Sequence, residues 1–250
     1  MQRRLETSRV VLIGTGLFGA VTADLIARTG CRDTQVIAWN DDGPLEQALR
    51  ATSVLVSGAV RLPTTSVDML HVELRDRVQE ADLLLTATCD APSLLFRAVN
   101  ELCLTAGCPW LFGNADGSVF ELGPLVEPYE SACYSCFELR SRSAEVYPIE
   151  NELYQERLAT VRSAEERVLL GEALWPATLA ASILVGEAFR LLTGVAAPTM
   201  TNARLRLAPV TGLIEQNEVT RVPRCPDCYR GPIAPQAVPA IPPWAREGGS

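Results

Sequence analysis

Eight cysteines supply the first chemical signal in this 250-residue chain, and four of them stand in two matched pairs. Cys133-Tyr-Ser-Cys136 and Cys225-Pro-Asp-Cys228 share the same internal spacing. A Cys-x-x-Cys turn presents two thiolates from one short segment, and two such turns make a tetrahedral tetrathiolate zinc site. Four protein ligands close the coordination shell and leave no place for a substrate or an activated water, so the zinc is expected to be structural. It would staple a mid-chain loop to a segment near the C-terminus. The competing readings are four unrelated buried cysteines or two redox pairs. Neither pair is expected to open the helix of a thioredoxin-like unit, and the doubled spacing favours the metal. Cys31, Cys89, Cys103 and Cys108 show no pairing logic.

A second constellation lies at the N-terminal end. The apolar run Arg9-Val-Val-Leu-Ile13 leads into Gly14-Thr-Gly16-Leu-Phe-Gly19, and Leu17, Val21, Leu25 and Ile26 then recur at helical spacing up to Gly30, a fitting C-cap. Strand, glycine turn and helix form the context that a nucleotide-binding fingerprint requires. In such a fingerprint Gly14 makes the tight turn, Gly16 lets a phosphate approach the backbone, and Gly19 lets helix and strand pack closely. The alternative is that the glycines serve only helix–sheet packing. A second strand over Gln35–Trp39 ends without the acid that would hold a ribose hydroxyl; Asp41 and Asp42 come late and could begin a turn with Gly43-Pro44.

Asp90 is the third candidate. It stands where the apolar strand 81–88 gives way to a helix carrying Leu94, Leu95, Ala98, Val99 and Leu102. The carboxyl ends of strands are where ligands bind in open α/β sheets. Its functional reading is a magnesium or nucleotide contact; helix capping near Pro92 accounts for it equally well. Cys89 reads as a small buried apolar residue. His71, the only histidine, is expected to face solvent on a strand over 70–74 and has no acid or nucleophile beside it.

These groups need a scaffold, and the pattern around them predicts an α/β fold: a Rossmann-like, mostly parallel sheet with helices on both faces, plus a C-terminal helical and antiparallel part closed by the four cysteines. Short elements are expected at 45–51 (helix) and 53–56 (strand). Strands are expected at 109–112 and 118–122, separated by a polar turn over 113–117. Residues 137–172 read as charged and mostly helical. Ala177–Thr193 is apolar nearly all round, so it belongs in a core or a subunit interface, stopped by Gly194. Glu187 and Arg190 would pair on its wetter edge. Strands over 204–209 and 213–222 deliver the chain to Cys225. The expected organisation is an extension over 1–8, one domain over 9–228 and a disordered Pro-rich tail over 229–250.

Bulk properties narrow the classes. The net charge of −8 and the lack of a basic cluster argue against nucleic acid as the partner. All 22 basic residues are arginine. No signal-peptide pattern opens the chain, and no apolar run is read as reaching membrane-spanning length, so a reducing cytoplasm is expected.

Taken together, the chain resembles the ubiquitin-activating-enzyme-like, or ThiF/MoeB-type, superfamily over residues 9–228. The features that carry the resemblance are the Gly14–Gly19 turn, Ala81-Asp82 leading to Asp90, Arg97-Ala-Val-Asn100, both cysteine pairs, and the Gly186-Glu187-Ala188 helix ending at Gly194. The resemblance implies a domain that binds ATP and adenylates a C-terminal carboxylate, with zinc on the four cysteines. Leu122-Gly-Pro-Leu-Val-Glu-Pro-Tyr-Glu-Ser-Ala-Cys-Tyr-Ser-Cys-Phe-Glu-Leu-Arg140 and Val222-Pro-Arg-Cys-Pro-Asp-Cys228 are similar to a narrower group, the ThiF-like cyclodehydratase partner proteins of azole-forming, bacteriocin- and thiopeptide-type ribosomal peptide pathways. That likeness implies a partner that presents a precursor peptide to a YcaO-type enzyme, which uses ATP to close Cys, Ser or Thr side chains into azolines.

Departures from the active superfamily members point the same way. Where they carry Asp-x-Asp after the second strand, this chain has Ala38-Trp39-Asn40. Their Asn/Arg/Gln set has no counterpart in 43–62, and their lysine is missing; arginine replaces its charge but not its compact geometry. Carboxylate attack on a phosphoanhydride needs electrostatic cover on the developing charge. The departures imply a weakened or lost site for ATP and Mg on a retained scaffold. Many azole-pathway partners also carry an N-terminal leader-binding domain. Eight residues precede the first strand here, so that domain is expected to be absent or supplied by a separate leader-binding protein. Homodimer and heterodimer are both open. The rival functions are an active adenylating enzyme, with Asp90 on magnesium, and, less favoured, a nicotinamide-dependent oxidoreductase, which the missing ribose acid at Ala38 argues against.

Overall fold

Val10–Ile13 and Leu83–Leu85 are apolar without alternation, the pattern of strands covered on both faces. In the computed structural model, which describes residues 2–39, 45, 60–62, 67–160 and 173–230, these runs form β1 (Arg9–Gly14) and β4 (Leu83–Cys89). They pair in parallel at the middle of one eight-stranded sheet ordered β3-β2-β1-β4-β5-β6-β7-β8. β2 (Asp33–Trp39), β3 (Val60–Leu62) and β5 (Trp110–Asp116) complete the parallel part. β6 (Val119–Val126), β7 (Ala203–Ala208) and β8 (Leu213–Glu218) continue it as antiparallel neighbours. The expected antiparallel part is thus an extension of the same sheet.

Among the described residues helices cover both faces. α2 (Gly16–Arg28) and α7 (Leu174–Thr193) bury Phe18, Ala23, Ala180 and Leu184 against one face. α3 (Val67–Glu80), α4 (Ser93–Ala106) and α5 (Tyr134–Ser143) bury Leu74, Val99 and Tyr134 against the other. The cysteine pairs belong to this second core. α6 (Pro148–Thr160) follows α5. Residues 2–7 form a short helix, α1, whose Leu5 is buried and whose Arg4 donates to the Thr193 carbonyl at 3.2 Å.

Four expectations need correction. Residues 70–74 are helical, not a strand. Leu70, Val72 and Leu74 fit a two-residue period, but Leu70, Leu74 and Val78 are buried at helical spacing while Val72 is 70% exposed. His71 therefore rides on α3, half-buried, 3.9 Å from Glu101. The polar turn expected over 113–117 is mostly strand: β5 runs through Asp116, and Gly113 lies so close to the Thr86 carbonyl that a Cβ would come within 2.6 Å of it. Glu187 is not on a wet edge. It is 1% exposed and accepts from both the amide and the hydroxyl of Thr199 as well as from Arg190. Finally, α7, with 20 residues and a mean hydropathy of 1.2, is long and apolar enough to cross a membrane. Here its Ala177, Ala181 and Ala188 are buried in the core it shares with α2 and the sheet. The short elements expected at 45–51 and 53–56, and the tail beyond Arg230, lie outside the described residues.

Candidate metal centre and the cleft beside it

Cys133 immediately precedes α5 and Cys136 lies in its first turn. The first pair does stand at a helix start, and the helical turn itself brings its two thiols onto one side. Cys225 and Cys228 sit in a turn closed by the Tyr229 amide donating to the Cys225 carbonyl at 3.2 Å. All four thiols are buried, and their sulfurs lie within 4.8 Å of one another. The separations are 3.8 Å for Cys133–Cys136, 3.6 Å for Cys133–Cys225 and 3.6 Å for Cys136–Cys228. A tetrahedral ion with metal–sulfur bonds of ~2.3 Å has sulfur–sulfur edges of ~3.8 Å, close to these three separations, so the cluster could hold a metal ion. The Val222 amide donates to the Cys136 sulfur at 3.3 Å, a contact that favours thiolate.

The protonation preferences of the four thiols follow the same chemistry. The hydrogen bond from Cys133 pushes Cys136 down to about 5, while the same bond, followed by burial, pushes Cys133 up. Burial pushes Cys228 up to about 11. One thiolate is favoured, and four thiolates in so small a volume need a cation among them.

Residues inside and around the two turns join them independently of metal. Asp227 accepts from Ser135 and from the Asn100 side-chain amide, the latter at 3.0 Å. Asn100 is fully buried and its Oδ1 accepts the Tyr134 amide at 3.0 Å. Arg97 forks onto both oxygens of Glu138 at 2.7 and 2.6 Å. α4 is thereby fastened to both cysteine turns. Asp227 and Ser135 went unremarked in the sequence although each occupies a middle position of a Cys-x-x-Cys turn.

At the other end of α4 lies the switch point of the sheet, where β1 and β4 adjoin and the strand order departs in both directions. Gly14 and Gly19 touch: a Cβ on Gly19 would stand 2.9 Å from the Gly14 Cα. The packing role expected of Gly19 is therefore shared by Gly14, and the left-handed residue of the turn is Gly16, at φ 57°. Thr15 draws the loop onto β4. Its amide donates to the Ala87 carbonyl at 3.1 Å and its hydroxyl accepts the Cys89 amide at 2.6 Å. Asp90 does sit at the strand end, at φ 48°, with its Oδ1 accepting the Gly117 amide at 3.2 Å. The amide of Ser93, first residue of α4, is met by Gln155 of α6 at 2.9 Å, so the carboxylate of Asp90 is not what answers that donor. Asp41 lies outside the described residues.

Beside Asp90, between α4, α5, α6 and the strands β5–β7, opens a cleft of about 650 Å³. Phe96, Phe112, Tyr134 and Phe137 form its aromatic lining, with ring centroids 4.8 to 5.8 Å apart. Arg204 stacks over Phe137 at 5.4 Å and pairs with Glu121 at 3.0 Å. Burial pushes the Glu121 carboxyl up despite Arg204 and Arg206. Apolar rings flanked by charges of both signs suit a peptide better than a uniformly anionic ligand.

No protein-family model and no curated protein matches the chain. Solved structures do. The microcin C7 biosynthetic enzyme MccB in complex with N-formylated MccA matches with a TM-score of 0.68 at 20% identity, over 91% of this chain and 69% of that one. E. coli MccB with ATP matches with a TM-score of 0.65 at 18% identity, over 91% and 68% of the two chains. PaaA matches with a TM-score of 0.62 at 14% identity, over 87% and 75%. At these identities the likeness is one of fold: this chain shares the fold of MccB and PaaA.

Proposed function

We propose that this protein is the ThiF-like partner of a peptide cyclodehydratase. It holds a ribosomal precursor peptide in the cleft beside Asp90 and presents it to a YcaO-type enzyme, which spends ATP on closing azolines. The observation that carries this reading is the pairing of a roomy cleft, backed by aromatic rings and rimmed by charges, with a switch point at which Thr15 and Asp90 take hydrogen bonds from within the protein. The lysine-free sequence supports it, since the phosphate-contacting lysine of adenylating relatives has no counterpart. So does the occurrence of N-formylated MccA on MccB, which has this fold. The proposed ion on the four cysteines is zinc, held as a closed structural site. The proposed setting is the cytoplasm. The assembly is a dimer, with itself or with a homologous subunit, for which Leu174, Trp175 and Leu179 on the exposed side of α7 offer apolar surface.

A second reading, an active adenylating enzyme acting on a peptide or carrier-protein carboxylate, draws on one observation: Asp90 stands at the switch point next to the glycine turn. One preparation separates the two. Zinc-loaded protein is titrated with Mg-ATP in a calorimeter and assayed for pyrophosphate exchange. No binding and no exchange, together with ring closure by a YcaO enzyme only when this protein is added, is the expected result. Binding with exchange, abolished by Asp90→Ala in a folded variant, would replace the first reading with the second.

A further inference from the structure

Beyond Glu218, where β8 ends, residues 219–230 form neither helix nor strand, yet they carry Cys225 and Cys228 back to the first cysteine pair. Val219, Cys225 and Cys228 are the buried residues of this arm, so apolar packing supplies little of what holds it. An irregular segment keeps its place by satisfying its backbone groups elsewhere, and here arginines do that. Arg140, one turn of α5 beyond Cys136, donates its Nε to the Thr220 carbonyl at 2.7 Å and a terminal nitrogen to the Arg221 carbonyl at 3.1 Å. Arg221 answers from the arm. Its two terminal nitrogens donate to the Tyr129 carbonyl at 2.9 Å and to the Cys228 carbonyl at 3.2 Å. Tyr129 and Arg140 stand four residues before Cys133 and four after Cys136, so the arm is gripped on both sides of the first pair.

Two further observations set this grip apart from ordinary loop bonding. Tyr129 has φ 66°, the left-handed region that non-glycine residues seldom adopt. Such a conformation persists where its surroundings over-determine it, and here Arg221 holds the carbonyl while Arg230 lies over the ring, 3.2 Å from its centroid. Secondly, among the described residues none of Arg140, Arg221 and Arg230 pairs with a carboxylate; carbonyls and a ring leave their charge in place. Four thiolates around a divalent ion carry a net charge of about −2, and Asp227, inside the second turn, adds to it. Cations fastened to both flanks of the cluster favour that state.

We propose that Arg140 and Arg221 are positioning residues of the metal centre. They hold the second cysteine turn against the first before an ion arrives, and their charge favours the four-thiolate state once the ion is bound. The forked guanidinium is what lets each side chain take two carbonyls at once. This inference rests on the reading of the four cysteines as a metal centre and is independent of what the cleft binds. Groups outside the ligand set that orient the ligands tune affinity for the ion as well as the fold around it.

The test uses the full chain, reduced and stripped of metal, with Co2+ as the probe and a chelator as competitor. In the double variant Arg140→Gln, Arg221→Gln, Co2+ binding weakens by roughly ten- to a hundredfold, while the visible bands of four-thiolate Co2+ keep their position. Amides of α4 keep their exchange protection, which verifies that the variant is folded. Arg221→Lys retains the charge without the fork. It binds Co2+ more tightly than Arg221→Gln, yet the amides of Cys225 and Tyr229 exchange equally fast in the two. In metal-free wild type these amides exchange more slowly than in the double variant. The inference is overturned if the double variant binds Co2+ as tightly as wild type, if the arm of metal-free wild type exchanges at unfolded-chain rates, or if α4 loosens together with the arm. Wild type without four-thiolate bands would remove the metal reading itself, and this inference with it. Such bands in wild type, with undiminished affinity in the variants, would remove this inference alone.

Discussion

Asn100 donates its side-chain amide to Asp227 at 3.0 Å, across 127 positions of sequence, and so ties α4 to the second cysteine turn. The same side chain accepts from the Tyr134 amide of the first turn. Asn100→Ala leaves the buried Tyr134 amide without its acceptor, a cost of about 1–3 kcal/mol, while exposed Asp227 keeps Ser135 and can turn to water. We expect the variant to lose about 1–3 kcal/mol in urea unfolding and to release its metal faster to a chelator. Unchanged unfolding and unchanged release would show that the cysteines alone hold the two turns together.

Metal binding should expel protons. Cys133 and Cys228 are pushed up, the latter to about 11, so both carry their protons at neutral pH in the metal-free protein and lose them on ligation. Affinity for the ion therefore rises with pH and falls as pH drops. Calorimetry in two buffers of different ionisation enthalpy is expected to report at least these two protons released per ion. Removal of one ligand, Cys136→Ser, should yield a chain that retains little metal and aggregates. A Cys136→Ser protein of full stability and full activity would count against a structural role.

Gly19→Ala sets two effects against each other. Alanine is the better helix former by about 1 kcal/mol, but its Cβ would meet the Gly14 Cα at 2.9 Å, the Gly14 carbonyl carbon at 3.0 Å and the Ala87 carbonyl oxygen at 3.1 Å. These are backbone atoms of β1 and β4, central strands with no room to yield, so the steric term wins. The expected net loss is about 1–3 kcal/mol in denaturant unfolding. A neutral or stabilised variant would mean that α2 rides further from the sheet than described.

Glu121 provides a pH signature for the cleft. Its carboxyl is pushed up, first by burial, against the pull of Arg204 and Arg206. A carboxyl raised in the folded state binds its proton more tightly there than in the unfolded chain. Its contribution is fully present below the unfolded pKa and is lost as pH rises through the folded one. Glu121→Gln removes that dependence. Its thermal midpoint relative to wild type should therefore improve on going from about pH 4 to pH 7. A relative midpoint that worsens over that interval would show that the pair with Arg204 outweighs desolvation.

Much of the architecture was legible because its signals are local. A Cys-x-x-Cys turn determines which sulfurs can share an ion, and its doubling in Cys133–Cys136 and Cys225–Cys228 named the four residues that the fold gathers. The apolar run before Gly14 marked β1, and the change of period at Gly16 marked α2. The run 81–88 marked β4, which forms over Leu83–Cys89 with Asp90 next to it. Ambiguity arose where two periods coincide. Leu70 and Leu74 satisfy a strand and a helix alike, and only the sheet face under α3 decided between them.

The sequence by itself determined the pairing of the cysteines, the central strands and the place of Asp90, since each follows from neighbours a few residues away. Tertiary structure alone decided what those groups touch. Glu187 turned from a surface pair into a buried acceptor because residues 199–200 fold back onto α7. Asn100 became the bridge between the cysteine turns. Gln155, 62 positions beyond Ser93, came to cover the start of α4. Hydrogen bonds between side chains so far apart leave no periodic trace in the chain, because their partners meet only once the sheet has brought the strand ends together.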